Sequence, residues 1–111
     1  MTAIAQADEA VGLVLDALTD LKLTESTLII LTADHGGAEK GHDTNDPRSH
    51  FIPWIASGPG VHHDYDLTRS SRQTIRTEDT FATACAFLGI RPGDEVLGKP
   101  VFEIHAGLPE E

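Results

Sequence analysis

A continuous apolar run that ends in a polar, glycine-rich loop constrains the fold of this chain more than any other feature. Residues 27–33 read Thr-Leu-Ile-Ile-Leu-Thr-Ala, without the alternation of a half-exposed strand. Such a run is typical of a strand covered on both faces, as in a parallel sheet between helices. It stops at Asp34, and polar residues then dominate as far as Ser49. This loop is too long and too rich in His, Asp and Gly for a plain connector.

Helical and strand-like segments surround this run. An amphipathic helix is predicted from its cap, Thr2, to Lys22, because apolar residues recur every three or four positions. The residues of this stripe are Ile4, Ala7, Val11, Val14, Leu15, Leu18 and Leu21. A second strand is predicted over residues 51–57. A second helix is predicted over residues 77–88, with Thr77 as its cap. Its predicted buried face carries Phe81, Ala84, Cys85 and Leu88.

The order of these segments and the chain length define the fold class. Helix, strand, loop, strand, helix is an α/β order, and 111 residues suit one domain, residues 1–111. Two strands do not make an independent doubly covered sheet. We therefore predict an α/β chain that is incomplete on its own and belongs to a larger domain.

Charge and cysteine content exclude several classes of function. Eighteen acidic against eight basic residues give a net charge of −10, which argues against a nucleic-acid polymer as partner. No apolar run approaches the length of a membrane span. Cys85 is the single cysteine, so the chain forms no internal disulfide and no zinc site built on cysteine pairs. Its apolar helical surroundings predict a small core residue.

The residues with chemical potential follow the first strand. Asp34 and His35 stand at its carboxyl end, where open α/β sheets bind ligands. A carboxylate beside an imidazole suits Zn²⁺ or Mn²⁺. Gly36 and Gly37 let the backbone turn, and His42 is close enough in sequence to fold back. The same residues also suit an ordinary strand-to-loop turn with an exposed His42, so composition and spacing allow both a turn and a metal site.

The four remaining histidines have ordinary explanations. His50 precedes the second strand and is predicted to be structural. His62 and His63 follow a Gly-Pro-Gly turn and are predicted to be exposed there, and His105 near the tail is also predicted to be exposed.

Six segments, in this order, resemble the C-terminal half of the alkaline phosphatase superfamily. They are Ala-Asp-Glu-Ala-Val-Gly (7–12), Ile-Leu-Thr-Ala-Asp-His-Gly-Gly (30–37), Lys-Gly-His (40–42), Ile-Pro-Trp-Ile-Ala-Ser-Gly-Pro-Gly-Val (52–61), the helix of residues 77–90 and Leu-Gly-Lys-Pro-Val-Phe (97–102). The resemblance is to the type I phosphodiesterase/nucleotide pyrophosphatase group and its sulfatase-like relatives. It implies the C-terminal portion of an alkaline-phosphatase-like sandwich, a sheet flanked by helices.

The resemblance also implies roles for three residues. Asp34 and His35 would be ligands of one ion of a zinc pair, the ion that activates the nucleophile. His42 would be a ligand of the other ion, with His50 a weaker candidate for that role, and manganese is an alternative metal. The nucleophile and the other ligands lie upstream in full-length members, so no catalytic residue is assigned to this chain.

The implied function is that of a fragment of a two-zinc phosphodiesterase or phosphatase that hydrolyses small-molecule phosphate esters. The isolated chain, which lacks the nucleophile, is expected to be inactive. One alternative is the sulfatase branch of the superfamily, which acts on sulfate esters. Another is a non-catalytic α/β module that binds a partner or forms a homo-oligomer through exposed apolar surface.

Overall fold

The computed structural model describes residues 2–37, 47–70 and 73–105. Its helices are α1 (Ala3–Asp20), α2 (Leu67–Ser70) and α3 (Thr77–Phe87), and its strands are β1 (Ile29–Thr32) and β2 (Trp54–Ser57). Three 3₁₀ segments complete the list, at Thr24–Ser26, Pro47–His50 and Phe102–Ile104. The α/β class predicted from the order of segments is confirmed. Within the described residues, no helix is both long and apolar enough to cross a membrane.

The two strands pair antiparallel rather than in a parallel sheet. Ile29 lies opposite Ser57 and Thr32 lies opposite Trp54. One face of the sheet remains open, because the paired side chains of Leu31 and Ile55 are 42% and 57% exposed. The prediction of a strand covered on both faces and set in a parallel sheet is therefore wrong for the described chain. The chain returns after the loop and places β2 beside β1. No described element packs over the open face of the sheet.

Helix α1 begins where the sequence predicts. The hydroxyl of Thr2 accepts a hydrogen bond from the amide of Ala5 at 3.2 Å, which satisfies one of the free donors at the helix start. None of the residues of α1 is buried, and Ile4 and Leu21, at the two ends of the stripe, are 83% and 67% exposed. The apolar stripe expected to face a core thus lies on the surface of the described chain.

Helix α3 differs from its prediction in both its cap and its buried face. The capping residue is Arg76 rather than Thr77, and the amide of Arg76 donates to Asp79 Oδ2 at 2.8 Å. Cys85 is buried as predicted, whereas Phe81 and Leu88 are 57% and 66% exposed. The buried residues of α3 are Asp79, Ala82, Thr83 and Cys85.

The polar residues in that buried face hold the C-terminal segment against α3. Asp79 Oδ1 accepts from the amide of Lys99 at 2.8 Å, and the hydroxyl of Thr83 accepts from the amide of Val101 at 2.9 Å. A side chain at Gly98 would collide with the backbone carbonyl of Glu78. The extended segment therefore approaches the helix too closely for any residue but glycine at position 98, and its backbone donors require polar partners.

The hydrophobic core of the described chain is small and lies between the sheet, α3 and the C-terminal segment. Val61, Val101 and Ile104 are buried in it. Partly buried residues surround them, namely Leu28, Trp54, Ala56, Leu67 and Ile75. Trp54 also donates from Nε1 to the hydroxyl of Thr80 at 3.0 Å, which ties β2 to α3. The end of β1 that carries the candidate site is thus anchored through its partner strand.

Candidate functional site

The candidate site lies just beyond the end of β1, between the start of β2 and the start of α3. The hydroxyl of Thr32, the last residue of β1, donates to the carbonyl of Pro53 at 2.9 Å. The carbonyl of Asp34 is 3.4 Å from the hydroxyl of Thr77, the first residue of α3. The backbone on which Asp34 and His35 stand is therefore held from two sides.

The side chains of Asp34 and His35 face each other. Asp34 Oδ1 accepts from the amide of His35 at 3.0 Å, and Asp34 Oδ2 lies 3.4 Å from His35 Nε2. His35 Nδ1 is 2.7 Å from the carbonyl oxygen of Gly36. A carbonyl oxygen can only accept, so this hydrogen bond assigns a proton to Nδ1. In that tautomer Nε2 carries a lone pair 3.4 Å from the carboxylate oxygen Oδ2, and a cation between the two atoms would stabilise both.

The geometry of the pair fits a divalent metal ion. Zinc bonds of about 2.0–2.2 Å to imidazole nitrogen and carboxylate oxygen, in a tetrahedral arrangement, place two ligand atoms roughly 3.3–3.5 Å apart. The Oδ2 to Nε2 separation of 3.4 Å lies in that range. Both side chains are accessible, at 84% exposure for Asp34 and 49% for His35. Imidazole bound through Nε2, with Nδ1 donating to a backbone carbonyl, is also the usual arrangement of a metal-binding histidine.

Gly36 brings the two ends of the following loop together. A methyl group at Gly36 would meet the backbone carbonyl oxygens of Arg48 and Phe51. The chain therefore leaves the site at residue 36 and returns beside the same point at residue 48. His42, the third predicted ligand, lies outside the described residues.

The described part of the site contains two of the three predicted ligands. Among residues 2–37, 47–70 and 73–105, no three His, Cys, Asp or Glu side chains are grouped closely enough to hold a metal ion. His50 is exposed in the 3₁₀ segment Pro47–His50 and does not complete such a group. Within the described residues, the structure thus brings together Asp34 and His35 and places no third such side chain beside them.

The prediction for His105 is wrong, whereas the exposure predicted for His62 and His63 is confirmed. His105 is half-buried, because the C-terminal segment folds back and forms a β-bridge with Val61. Burial lowers the pKa of His105 below its usual 6.5, and the charge of nearby His62 lowers it further.

Sequence reasoning missed two residues that position the site. Thr77 was predicted as a helix cap, but its hydroxyl lies beside the Asp34 carbonyl, 43 residues earlier in the chain. Gly36 was predicted to permit a turn, and it also permits the close approach of Arg48 and Phe51. The glycine itself is visible in the sequence, whereas nothing near Gly36 or Thr77 in the sequence indicates the residues that each one approaches.

Comparison with known proteins assigns the chain to a family. The model of the Sulfatase family matches residues 1–90, which include both strands and the Asp34–His35 pair. The chain belongs to the sulfatase family. This membership confirms the resemblance to the alkaline phosphatase superfamily, and it favours the sulfatase branch at least as much as the phosphodiesterase group.

One curated sulfatase shows the extent of the match. The chain is 25% identical over 104 residues to an ulvan-active sulfatase of Formosa agariphila. The aligned region covers 87% of this chain and 20% of that sulfatase, so this member of the sulfatase family spans a small part of its relative's length. No solved structure matches the chain significantly.

Proposed function

We propose that this sulfatase-family chain forms part of a metal-dependent ester hydrolase, with Asp34 and His35 as ligands of one divalent ion. The observation that carries the proposal is the 3.4 Å approach of Asp34 Oδ2 to His35 Nε2, with Nδ1 committed to the Gly36 carbonyl. Zinc fits the mixed oxygen and nitrogen ligands, and manganese is the alternative. His42 is proposed as a ligand of a second ion.

The chain's own residues would orient the ligand atoms at this site and neutralise part of the charge of the ion. The bound ion supplies Lewis-acid chemistry and lowers the pKa of a bound hydroxyl or water. Asp34 provides negative charge for the ion, and the Gly36 carbonyl fixes the ring of His35 so that Nε2 faces the same point. Gly36 has no side chain, and this allows the backbone carbonyls of Arg48 and Phe51 to approach the end of β1 beside the pair.

Sulfate esters are the proposed substrate class, with phosphate esters as the alternative. The sulfatase family match and the similarity to an ulvan-active sulfatase support sulfate. The net charge of −10 would repel either anionic ester, and a bound divalent cation reverses the field at the site. A bound divalent ion would therefore favour an anionic ester at this site.

The nucleophile and the remaining ligands are proposed to lie in other parts of a larger hydrolase domain, of which residues 1–111 are one piece. Support comes from the two-ligand site and from the relative, which is much longer than the aligned region. The isolated 111-residue chain is therefore expected to bind metal weakly and to show no turnover of p-nitrophenyl sulfate or bis(p-nitrophenyl) phosphate. Turnover above the buffer rate would contradict the absence of a nucleophile.

Cobalt absorption tests the ligand pair. Co²⁺ replaces Zn²⁺ in many protein sites and gives visible absorption bands that change with the ligands. We expect a spectrum distinct from that of aqueous Co²⁺ in the unchanged chain, and its loss in Asp34→Asn and His35→Gln. His63→Gln, which alters an exposed histidine outside the site, serves as the control and should keep the spectrum. Equal spectra in all four proteins would exclude the proposed pair.

A second candidate function is a non-catalytic module that forms homo-oligomers. It is favoured by the exposed pair of Leu31 and Ile55 on the open face of the sheet. Light scattering after gel filtration tests it by comparing the unchanged chain with the double variant Leu31→Thr and Ile55→Thr. A dimer mass that falls to a monomer mass in the variant supports this candidate, and a monomer mass in the unchanged chain excludes it.

A further inference from the structure

A group of four side chains joins the turn after β2 to the C-terminal 3₁₀ segment. His62 stacks on Tyr65 with ring centres 4.7 Å apart and an angle of 14° between the planes. The hydroxyl of Tyr65 donates to Glu103 Oε2 at 3.1 Å. His105 completes the group through the β-bridge to Val61. We call His62, Tyr65, Glu103 and His105 the histidine clasp.

The clasp closes over the hydrophobic core. The amide of His62 donates to the carbonyl of Ile104 at 2.8 Å, and Ile104 and Val61 are themselves core residues. A cleft of about 440 Å³ lies beside it, lined among others by Trp54, His62 and Tyr65. Separation of residues 101–105 from the turn would therefore expose the core and remove one wall of the cleft.

Two of the four members are histidines. His62 is exposed on the turn, whereas His105 is half-buried in the segment that the turn holds. Glu103, from the same segment as His105, is the acidic member, and the turn also carries His63, Asp64 and Asp66, all exposed. Like charges on His62 and His105 repel across the bridge, and a charged His105 loses hydration in its half-buried position. The lowered pKa of His105 agrees with both effects.

We propose that the histidine clasp is acid-sensitive, and that protonation of His105, beside His62, releases residues 101–105 from the turn and opens the cleft. The proposal is independent of the metal site. If the open form binds one proton more than the closed form, its population increases as pH falls. For a histidine with an ordinary pKa of about 6.5, the increase between pH 7.5 and 5.5 is up to about tenfold.

Hydrogen exchange of the 111-residue chain at these two pH values tests the clasp. Exchange rates are corrected for the intrinsic effect of pH and read at the amides of His62, Ile104 and His105, each of which donates a backbone hydrogen bond. We expect protection at these amides to fall by up to about tenfold at pH 5.5. Protection of the Leu88 and Ile90 amides, which bond to residues of α3, should change by less than twofold.

Variants assign the effect to the two histidines. His105→Gln and His62→Gln should each reduce the fall in protection, whereas His63→Gln should retain it. The proposal would be overturned if protection in the unchanged chain did not depend on pH, or if protection at Leu88 and Ile90 fell equally. It would also be overturned if the fall in protection were as large in the two clasp variants as in the unchanged chain. If a clasp variant does not fold, the comparison of clasp amides with α3 amides in the unchanged chain still tests the proposal.

Discussion

The amide of Val101 donates a hydrogen bond of 2.9 Å to the hydroxyl of Thr83, and both residues are only 1% exposed. The same hydroxyl donates to the carbonyl of Asp79 at 2.7 Å. One side-chain oxygen therefore connects α3 to the C-terminal segment beside a core residue. Stability of the isolated chain should depend on such polar contacts as much as on apolar burial.

Thr83→Val should destabilise the chain by about 1–3 kcal/mol, because it leaves the buried Val101 donor without a partner. Thr83→Ser keeps the hydroxyl and loses one methyl group, which costs about 0.8 kcal/mol. Urea unfolding of the two variants and the unchanged chain measures the difference. Equal stability of the valine and serine variants would contradict the role assigned to the hydroxyl.

Asp79→Asn should cost about 2–3 kcal/mol. The two carboxylate oxygens accept from the amides of Lys99 and Arg76, each at 2.8 Å. An amide side chain offers one oxygen and one NH₂ group, so one backbone donor would face another donor. Glu78→Gln, at an exposed neighbouring position, is the control and should stay within about 0.5 kcal/mol. A similar urea midpoint for both variants would show that Asp79 does not hold the segment.

Gly12→Ala and Gly36→Ala should change stability in opposite directions. Nothing lies within 4 Å of a side chain built at Gly12, so alanine there should stabilise α1 by about 0.5–1 kcal/mol. The same change at Gly36 forces the carbonyls of Arg48 and Phe51 away and should destabilise the end of β1. Thermal unfolding measures both changes. A stabilising Gly36→Ala would show that the loop ends are not in contact.

The free energy of unfolding should fall as pH decreases below 6.5. The pKa of His105 is lowered in the folded chain, first by burial and then by the charge of His62. The unfolded chain therefore binds more protons than the folded chain between that lowered pKa and 6.5, so stability increases with pH across this window. His105→Gln should flatten the dependence measured by urea unfolding from pH 7.5 to 5.5. An unchanged slope in the variant would assign the dependence to other groups.

The sequence predicted those helices and strands whose residue pattern is contained in one short stretch of chain. The three-to-four-residue spacing predicted α1 and its cap Thr2, whereas for α3 the position was predicted but the cap and most of the buried face were not. The placement of Asp34 and His35 at the end of a strand also followed from the sequence, because the apolar run stops there.

Features that depend on distant parts of the chain were not predictable. Asp79 and Thr83 occupy the buried face of α3 because they meet backbone donors of Lys99 and Val101, about twenty residues later. Similarly, His105 is half-buried because of a bridge to Val61. An apolar stripe alone did not reveal that α1 lies exposed, since exposure depends on what packs against the helix.

Calorimetric titration with Zn²⁺ compares the 111-residue chain with the variants Asp34→Ala and His35→Ala and with the control Asp16→Ala on α1. We expect weak binding in the unchanged chain and in Asp16→Ala. Binding should be at least about tenfold weaker in each of the other two, since loss of a direct ligand should cost no less than loss of a residue that supports one. No binding by the unchanged chain, or equal binding by all four proteins, would contradict a metal site built on Asp34 and His35.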